Sequence, residues 1–278
     1  MEFRTNLSYK INTCMIHRIF VVVFLSMLIF SCKNKETIEL FLQNENVQLV
    51  QPRIIASNTV IDSFVTIKTD RNIDGAEVFY SVDGSDPTKK SLKFNKELRI
   101  SEPCELKFKA FHNTYKASEV AVVKLYKKGY SASAIEWHTN SNKKYKGVGN
   151  ITLINGQKAT LEYSNSQWVG FDTIAKATVD FDKNIELKSI DIGYLNDPAS
   201  WIFPPSEIEV IVNNKEKLSF QLEPLAEVTD RAMMDFSIPI NQMVNTISIS
   251  VKNVQQIPFW HDGNGNKAWL FMDEWIFN

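Results

Sequence analysis

Four aromatic stretches, three loops and the closing run Trp269-Leu-Phe-Met-Asp-Glu-Trp-Ile-Phe277, carry the residue types best suited to holding a neutral polar ligand. Trp168 stands in Ser166-Gln-Trp168-Val-Gly-Phe171, Trp201 in Asp197-Pro-Ala-Ser-Trp201-Ile-Phe-Pro-Pro205, and Trp260 in Phe259-Trp260-His261-Asp262. An indole face packs on the apolar C–H edge of a sugar ring while neighbouring polar side chains bond its hydroxyls. Trp168, Trp201, Trp260, His261 and Asp262 are therefore the candidate glycan-binding residues. The competing reading is that these tryptophans plug the ends of a sandwich, because Trp is highly buried on average. The stretch Asp262-Gly-Asn264-Gly-Asn266 turns sharply and offers both donors and acceptors. It imitates a helix-loop-helix calcium loop, with Asp273 at the twelfth position. Lys267 stands where that loop needs glycine, and a strand follows in place of a helix.

Catalytic chemistry finds little support. Glycoside hydrolysis needs two carboxyl groups about 5 to 9.5 Å apart across the bond, and neighbours such as Asp273 and Glu274 point to opposite faces of a strand. Asp83 and Asp86 lie in Tyr80-Ser-Val-Asp-Gly-Ser-Asp-Pro-Thr88, where short side chains cap their own turn amides more readily than they bind metal. The sequence has no Ser-His-Asp signature, glycine-rich phosphate loop or His/Cys zinc cluster, and its four histidines leave few general bases. Lys and Arg number 31 against 32 Asp and Glu, a net charge of -1, so no global field attracts nucleic acid.

The elements that must position these residues are strands. Val65-Thr-Ile-Lys-Thr, Ala76-Glu-Val-Phe-Tyr-Ser-Val, Glu105-Leu-Lys-Phe-Lys-Ala-Phe and Glu119-Val-Ala-Val-Val-Lys-Leu alternate apolar and polar residues between turn signals. So do Ala177-Thr-Val-Asp-Phe, Lys188-Ser-Ile-Asp-Ile-Gly-Tyr, Glu207-Ile-Glu-Val-Ile-Val, Thr246-Ile-Ser-Ile-Ser-Val and the closing run with Trp269, Phe271 and Asp273 on one face. The fold class is all-β, in two sandwiches: residues 52–126 and residues 127–278.

Ahead of them, residues 19–30 form an apolar core too short for a comfortable membrane span and sized for a signal peptide. The core ends in Ile29-Phe30-Ser31-Cys32, which resembles the lipobox of bacterial lipoproteins but has Phe before the small residue. The resemblance implies cleavage before Cys32, lipidation of that cysteine and residence on a bacterial outer membrane or cell surface. Residues 1–32 are then the signal, with the true start at Met15, and residues 33–51 a linker. With Cys14 ahead of the core and Cys32 lipidated, Cys104 alone remains in the folded part, so no internal disulfide is available.

Two further resemblances bear on the folded part. Tyr80-Ser-Val-Asp-Gly-Ser-Asp-Pro-Thr88, Leu98-Arg-Ile, Leu106-Lys-Phe-Lys-Ala-Phe111 and Ser118-Glu-Val resemble the immunoglobulin-like C-terminal domain of chitobiases and β-hexosaminidases. That implies a sandwich that spaces its neighbours and brings no catalytic residue. Trp168-Val-Gly-Phe171, Gly193-Tyr-Leu-Asn-Asp197, Trp201-Ile-Phe-Pro-Pro205, Pro258-Phe-Trp-His261 and Ala268-Trp-Leu-Phe-Met-Asp-Glu274 are similar to the discoidin-like (coagulation factor 5/8 type C) module appended to family 20 β-hexosaminidases. This implies a jelly-roll sandwich, many relatives of which bind galactose or N-acetylhexosamine sugars. It also implies a structural calcium between an Asp-Gly loop and a late Glu. The matching positions are Asn155-Gly156 and Glu274, with Asn removing one anionic ligand. A catalytic (β/α)₈ barrel takes about 250 residues, for which the two modules leave no room. The expectation is a non-catalytic surface lipoprotein that binds a hexosamine- or galactose-containing glycan. The alternative is a structural or protein-interaction component of an envelope complex.

Overall fold

The computed structural model describes residues 47–69, 74–227 and 229–278. The apolar run of residues 19–30, read above as a signal core, and Cys32 lie outside the described residues. Among those described, no helix is long and apolar enough to cross a membrane.

The chain is all-β and sandwich-like. The first module is built from β1 (Ile54–Ala56), β2 (Val60–Ile61), β3 (Val65–Thr69), β4 (Glu77–Ser81), β5 (Leu92–Phe94), β6 (Glu97–Ile100), β7 (Cys104–Phe111) and β8 (Ala121–Lys127). One sheet runs β1-β3-β6 and the facing one β2-β8-β7-β4-β5. The alternation of β7, with Leu106, Phe108 and Ala110 buried, drives one face into a core shared with Val65, Ile67 and Phe94. In the β4–β5 turn, Asp83 Oδ1 accepts from the Ser85 amide at 3.1 Å and from its hydroxyl at 2.6 Å, while Asp86 pairs with Lys107 at 3.0 Å. Both carboxylates thus serve the turn and its neighbour strand, as the short-side-chain rule anticipates.

Residues 47–51, read as the end of a linker with some pairing, pack on the first module: Leu49 donates to Lys116 O and Lys116 to Val47 O, both at 3.0 Å, and Leu49 is buried. Main-chain hydrogen bonds do not depend on side-chain type, so a short segment of mixed composition can pair without a clear alternating pattern.

The second module contains β9 (Ala134–Trp137), β10 (Val169–Phe171), β11 (Ala175–Asn196), β12 (Glu207–Val212), β13 (Glu216–Gln221), β14 (Ala232–Lys252) and β15 (Leu270–Phe277). Their order is β10-β15-β11-β14-β12-β13, with β9 also on β11. The runs around residues 177–181 and 188–194, read as separate strands, belong to one long β11. Its register against β14 shifts between Asp180 and Ile185 and again between Leu187 and Ser189. Such irregularities bend a strand and let it continue around a curved core. All eight residues of β15 are buried, so it is an interior strand covered on both faces.

The modules meet through polar contacts on long-range partners. Lys158, almost wholly buried, lies 2.8 Å from Asp235 and 2.9 Å from Asp273, and Asp235 also accepts from Lys124 and the Tyr126 hydroxyl of β8, each at 2.8 Å. Asp273 further accepts from the amides of Ala159 and Glu274. Burial by itself would raise the Asp235 pKa, but the Lys158 charge and bonds from Lys124, Lys158 and Tyr126 hold it below the ordinary value. The chain passes between modules at Gly129, where a Cβ would stand 2.1 Å from Phe277 O. Only glycine fits there.

Candidate functional site

At one end of the second sandwich, two loops are stapled together. Residues 197–202 close on themselves: Asp197 donates to Ile202 O at 2.9 Å and Ile202 to Asp197 O at 3.1 Å, around the 3₁₀ turn Pro198–Ser200. Trp201 then adopts the left-handed backbone, φ 63°, a conformation that costs a non-glycine residue about 1 kcal/mol. The consequence is an outward indole, 39% exposed beside the buried Ile202 and Phe203. Arg231 Nε lies 2.9 Å from the buried Asp197 carboxylate and anchors the start of the loop.

The second loop, residues 258–267, winds through His261 N to Pro258 O, Asn264 N to His261 O and Asn266 N to Gly263 O, each near 3 Å. His261 joins the two loops. Its Nε2 lies 2.9 Å from Pro198 O and its Nδ1 accepts the Gly263 amide at 2.9 Å. A carbonyl can only accept and an amide only donate, so the ring carries its proton on Nε2. Both nitrogens are consumed by the fold. Trp260 is half-buried against Phe203 and His261, and its indole N–H donates to Leu225 O at 3.1 Å. Phe259, by contrast, is 88% exposed, and Asp262 is exposed beside it in the chain.

The five candidate residues therefore separate by role. Trp201, Trp260, His261 and Asp262 are brought to one end, with Trp201 and Asp262 presented, Trp260 partly so and His261 as the staple. Trp168 corrects the expectation: it is 2% exposed, donates its indole N–H to Thr160 O at 2.8 Å and packs with Leu195, Ile202 and Phe271. It supports the Trp201 loop from beneath and cannot touch a ligand. The reason is tertiary, since β10 pairs with the interior strand β15 and carries Trp168 inward with it.

Of the rest of the rim, sequence reasoning named Trp269 in the closing run but not Tyr145 or Tyr163. Trp269 donates its amide to Trp201 O at 2.8 Å, and Tyr145 packs on Trp269 with ring centroids 5.4 Å apart, next to Tyr163. Phe259 stood in the motif yet offers no polar group, which is why it went unnamed. The exposed Trp201 and Phe259 faces and the Asp262 carboxylate are of the kinds that stack on a pyranose and bond its hydroxyls.

The calcium reading rests on Asn155 and Glu274, which the fold does bring close. Glu274 Oε1 accepts the Gly156 amide at 2.9 Å, and Glu274, Asn155 and Gly156 line a cavity of ≈ 150 Å³. Glu274 Oε2 is buried with no hydrogen-bond partner among the described residues. Burial pushes the Glu274 pKa up to about 8, aided by the Asp273 charge and opposed by the loop amides. An orphaned carboxylate oxygen in a small cavity fits one ligand of a hard cation. Asn155 fits less well: its Oδ1 accepts the Gln157 amide at 2.9 Å and its Nδ2 donates to Gln167 at 2.8 Å. Calcium takes about six to eight oxygens, so main-chain carbonyls and water would have to supply most of them. Among the described residues no group of three or more His, Cys, Asp or Glu forms a metal cluster.

Comparison with known proteins yields the following. Residues 55–122 match the chitobiase/beta-hexosaminidase C-terminal domain family. No curated protein matches the chain. Among solved structures, CpGH89CBM32-4 of Clostridium perfringens, in complex with GlcNAc-alpha-1,4-galactose, is 12% identical, covering 53% of this chain and 89% of that one with a TM-score of 0.32. A fucose-binding module of Streptococcus pneumoniae is 12% identical, over 53% of this chain and 95% of its own, with a TM-score of 0.33. A SusE-like protein is 15% identical, over 81% of this chain and 97% of its own, with a TM-score of 0.28. Residues 55–122 are thus similar to the C-terminal domain of chitobiases and beta-hexosaminidases.

Proposed function

We propose that this is a non-catalytic surface lipoprotein that binds a hexosamine- or galactose-containing glycan at the aromatic end of its second sandwich, with the first module as spacer. The single observation that carries the reading is Trp201, held outward in a left-handed backbone with its ring centroid 6.3 Å from that of His261, whose two ring nitrogens are both engaged. Strain of this kind persists where a surrounding network over-determines it, and it clusters at ligand sites. Of the carboxylates near this end, Asp197 pairs with Arg231 and Asp273 is held by Lys158 and two amides, which leaves the exposed Asp262 without a second carboxyl group to work with as an acid–base pair. The family match of the first module, to an accessory domain of glycosidases, supports the same setting. Attachment through a lipidated Cys32 and residence on a bacterial outer membrane or cell surface complete the proposal.

The experiment is a glycan array followed by titration calorimetry on the best hexosamine- or galactose-containing hit. Trp201→Ala and Phe259→Ala are each expected to weaken binding about tenfold or more, the worth of one stacking face at about 1.4 kcal/mol. Melting temperatures should stay near wild type, because both side chains are exposed. Unchanged affinity in both variants would remove the site. Purified protein should leave chromogenic hexosaminides intact.

One observation favours a second reading. A lone aromatic at 88% exposure is also what a protein-docking anchor looks like. An absence of glycan binding, together with a named envelope protein captured by wild type and lost with Phe259→Ala, would select that reading.

A calcium ion at Glu274 belongs to the same proposal as a structural support. Millimolar calcium is expected to raise the melting temperature of wild type by a few degrees, through preferential binding to the folded state, and to leave Glu274→Gln unmoved. An equal shift in both proteins would place the ion elsewhere.

A further inference from the structure

One cleft of the second module has none of the candidate residues of the aromatic end in its lining. It measures ≈ 660 Å³ and lies where the end of β9 meets the loop of residues 139–150, within the range of about 300 to 1,000 Å³ usual for small-ligand sites. Trp137 lines it. The indole is fixed by donation to Asn150 O at 2.9 Å and backed by Phe171 and Trp275, with ring centroids 5.4 and 6.2 Å away. Around it stand Asn140, Ser141, Lys143, Lys146 and Asn150.

The charge of this lining is one-sided. The cleft has two ammonium groups and no carboxylate, although the chain as a whole is balanced at -1. Elsewhere in the second module Lys158, Lys217 and Lys252 are each paired with an acid. Lys143 and Lys146 have no ion-pair partner among the described residues, and the side chains of Asn140, Ser141 and Asn150 make no hydrogen bond among them. The loop that presents the lysines is ordered against β10: Asn142 donates to Gly170 O at 2.9 Å, Gly170 to Tyr145 O at 2.8 Å, and the Lys144 amide to Asn142 Oδ1 at 3.0 Å. Such pre-organisation lowers the entropic cost of binding.

We infer that this cleft is a second binding site, for an acidic saccharide whose ring stacks on Trp137 and whose carboxylate or sulfate is taken by Lys143 and Lys146. A neutral sugar would leave both ammonium groups unused. A nucleic-acid strand would call for a run of aromatic platforms and a basic groove longer than one cleft. None of Trp201, Phe259, Trp260 or Asp262 lines this cleft, so its fate does not follow that of the glycan reading above.

The test is calorimetric titration of the full chain with tetragalacturonate, with a heparin-derived tetrasaccharide, with a neutral tetrasaccharide of galactose and with a short oligothymidylate. At low salt at least one acidic saccharide should bind, more weakly as salt rises because the attraction is screened. The Lys143→Glu/Lys146→Glu double variant should lose about tenfold or more in affinity with an unchanged melting temperature, and Trp201→Ala should bind as wild type. Binding of the uronate alone, the sulfated probe alone, or both supports the site and identifies the anion. No binding by either, a preference for the neutral sugar or the oligonucleotide, full affinity in the double variant, or loss in Trp201→Ala overturns it.

Discussion

Gly193 shows how tightly single residues set the interior beside the junction. A Cβ there would lie 2.0 Å from Asp273 Oδ1 and 2.1 Å from Lys158 Nζ, so any side chain must push apart a buried ion pair. Gly193→Ala should destabilise the protein by about 3 kcal/mol, in the range seen when a buried pair is broken or a packed interior overfilled; urea unfolding measures it, and a change under about 0.5 kcal/mol would show that the pair can move aside. At the same scale, the Asp83 turn was legible in the sequence because its hydrogen bonds are local, two residues apart. Trp168 was not. Its neighbours in sequence look like those of an exposed aromatic, and only the partner strands reveal that it is inside.

At the scale of elements, β14 and β15 bring Asp235 and Asp273 to opposite sides of Lys158, while β8 of the first module delivers Lys124 and Tyr126. Asp235 has a folded-state pKa below its unfolded value of about 3.9. Its contribution is therefore fully present above that value and is lost as pH falls through the lower folded-state pKa. Unfolding followed from neutral to acid pH should show stability declining below about pH 4, and Asp235→Asn should lack Asp235's share of that decline while being less stable by about 3 kcal/mol at neutral pH. Parallel curves for the two proteins would remove Asp235 from the acid transition. The strands themselves were largely readable, since alternation survives in β3, β7, β12 and most of β14. The join of two expected strands into β11 was not readable, because residues 182–184 carry the charge and amide signals of a turn yet lie within one irregular strand.

At the scale of the whole molecule, the two modules share a junction of buried charge and a glycine crossing at residue 129. The aromatic end is therefore presented from a braced pair of sandwiches. A lipidated Cys32 would tether this pair to a membrane; each buried methylene of an acyl chain contributes about 0.8 kcal/mol. Cys32→Ala is expected to move the protein from the membrane fraction to the soluble fraction, followed by fractionation and by loss of labelled palmitate. Retention in the membrane without label would point to the apolar run of residues 19–30 as an uncleaved anchor.

The sequence by itself determined the all-β, sandwich-like class and the turn chemistry between Tyr80 and Thr88. Each of these rests on side-chain alternation or on contacts a few residues apart. Only the tertiary structure decided which tryptophans face outward, that His261 is a staple between loops whose bonded atoms are 63 residues apart in sequence, and that Lys158 finds carboxylates 77 and 115 residues away. The physical reason is that a local pattern fixes the face on which a side chain lies. Whether that face meets water or protein depends on which distant segment comes to cover it.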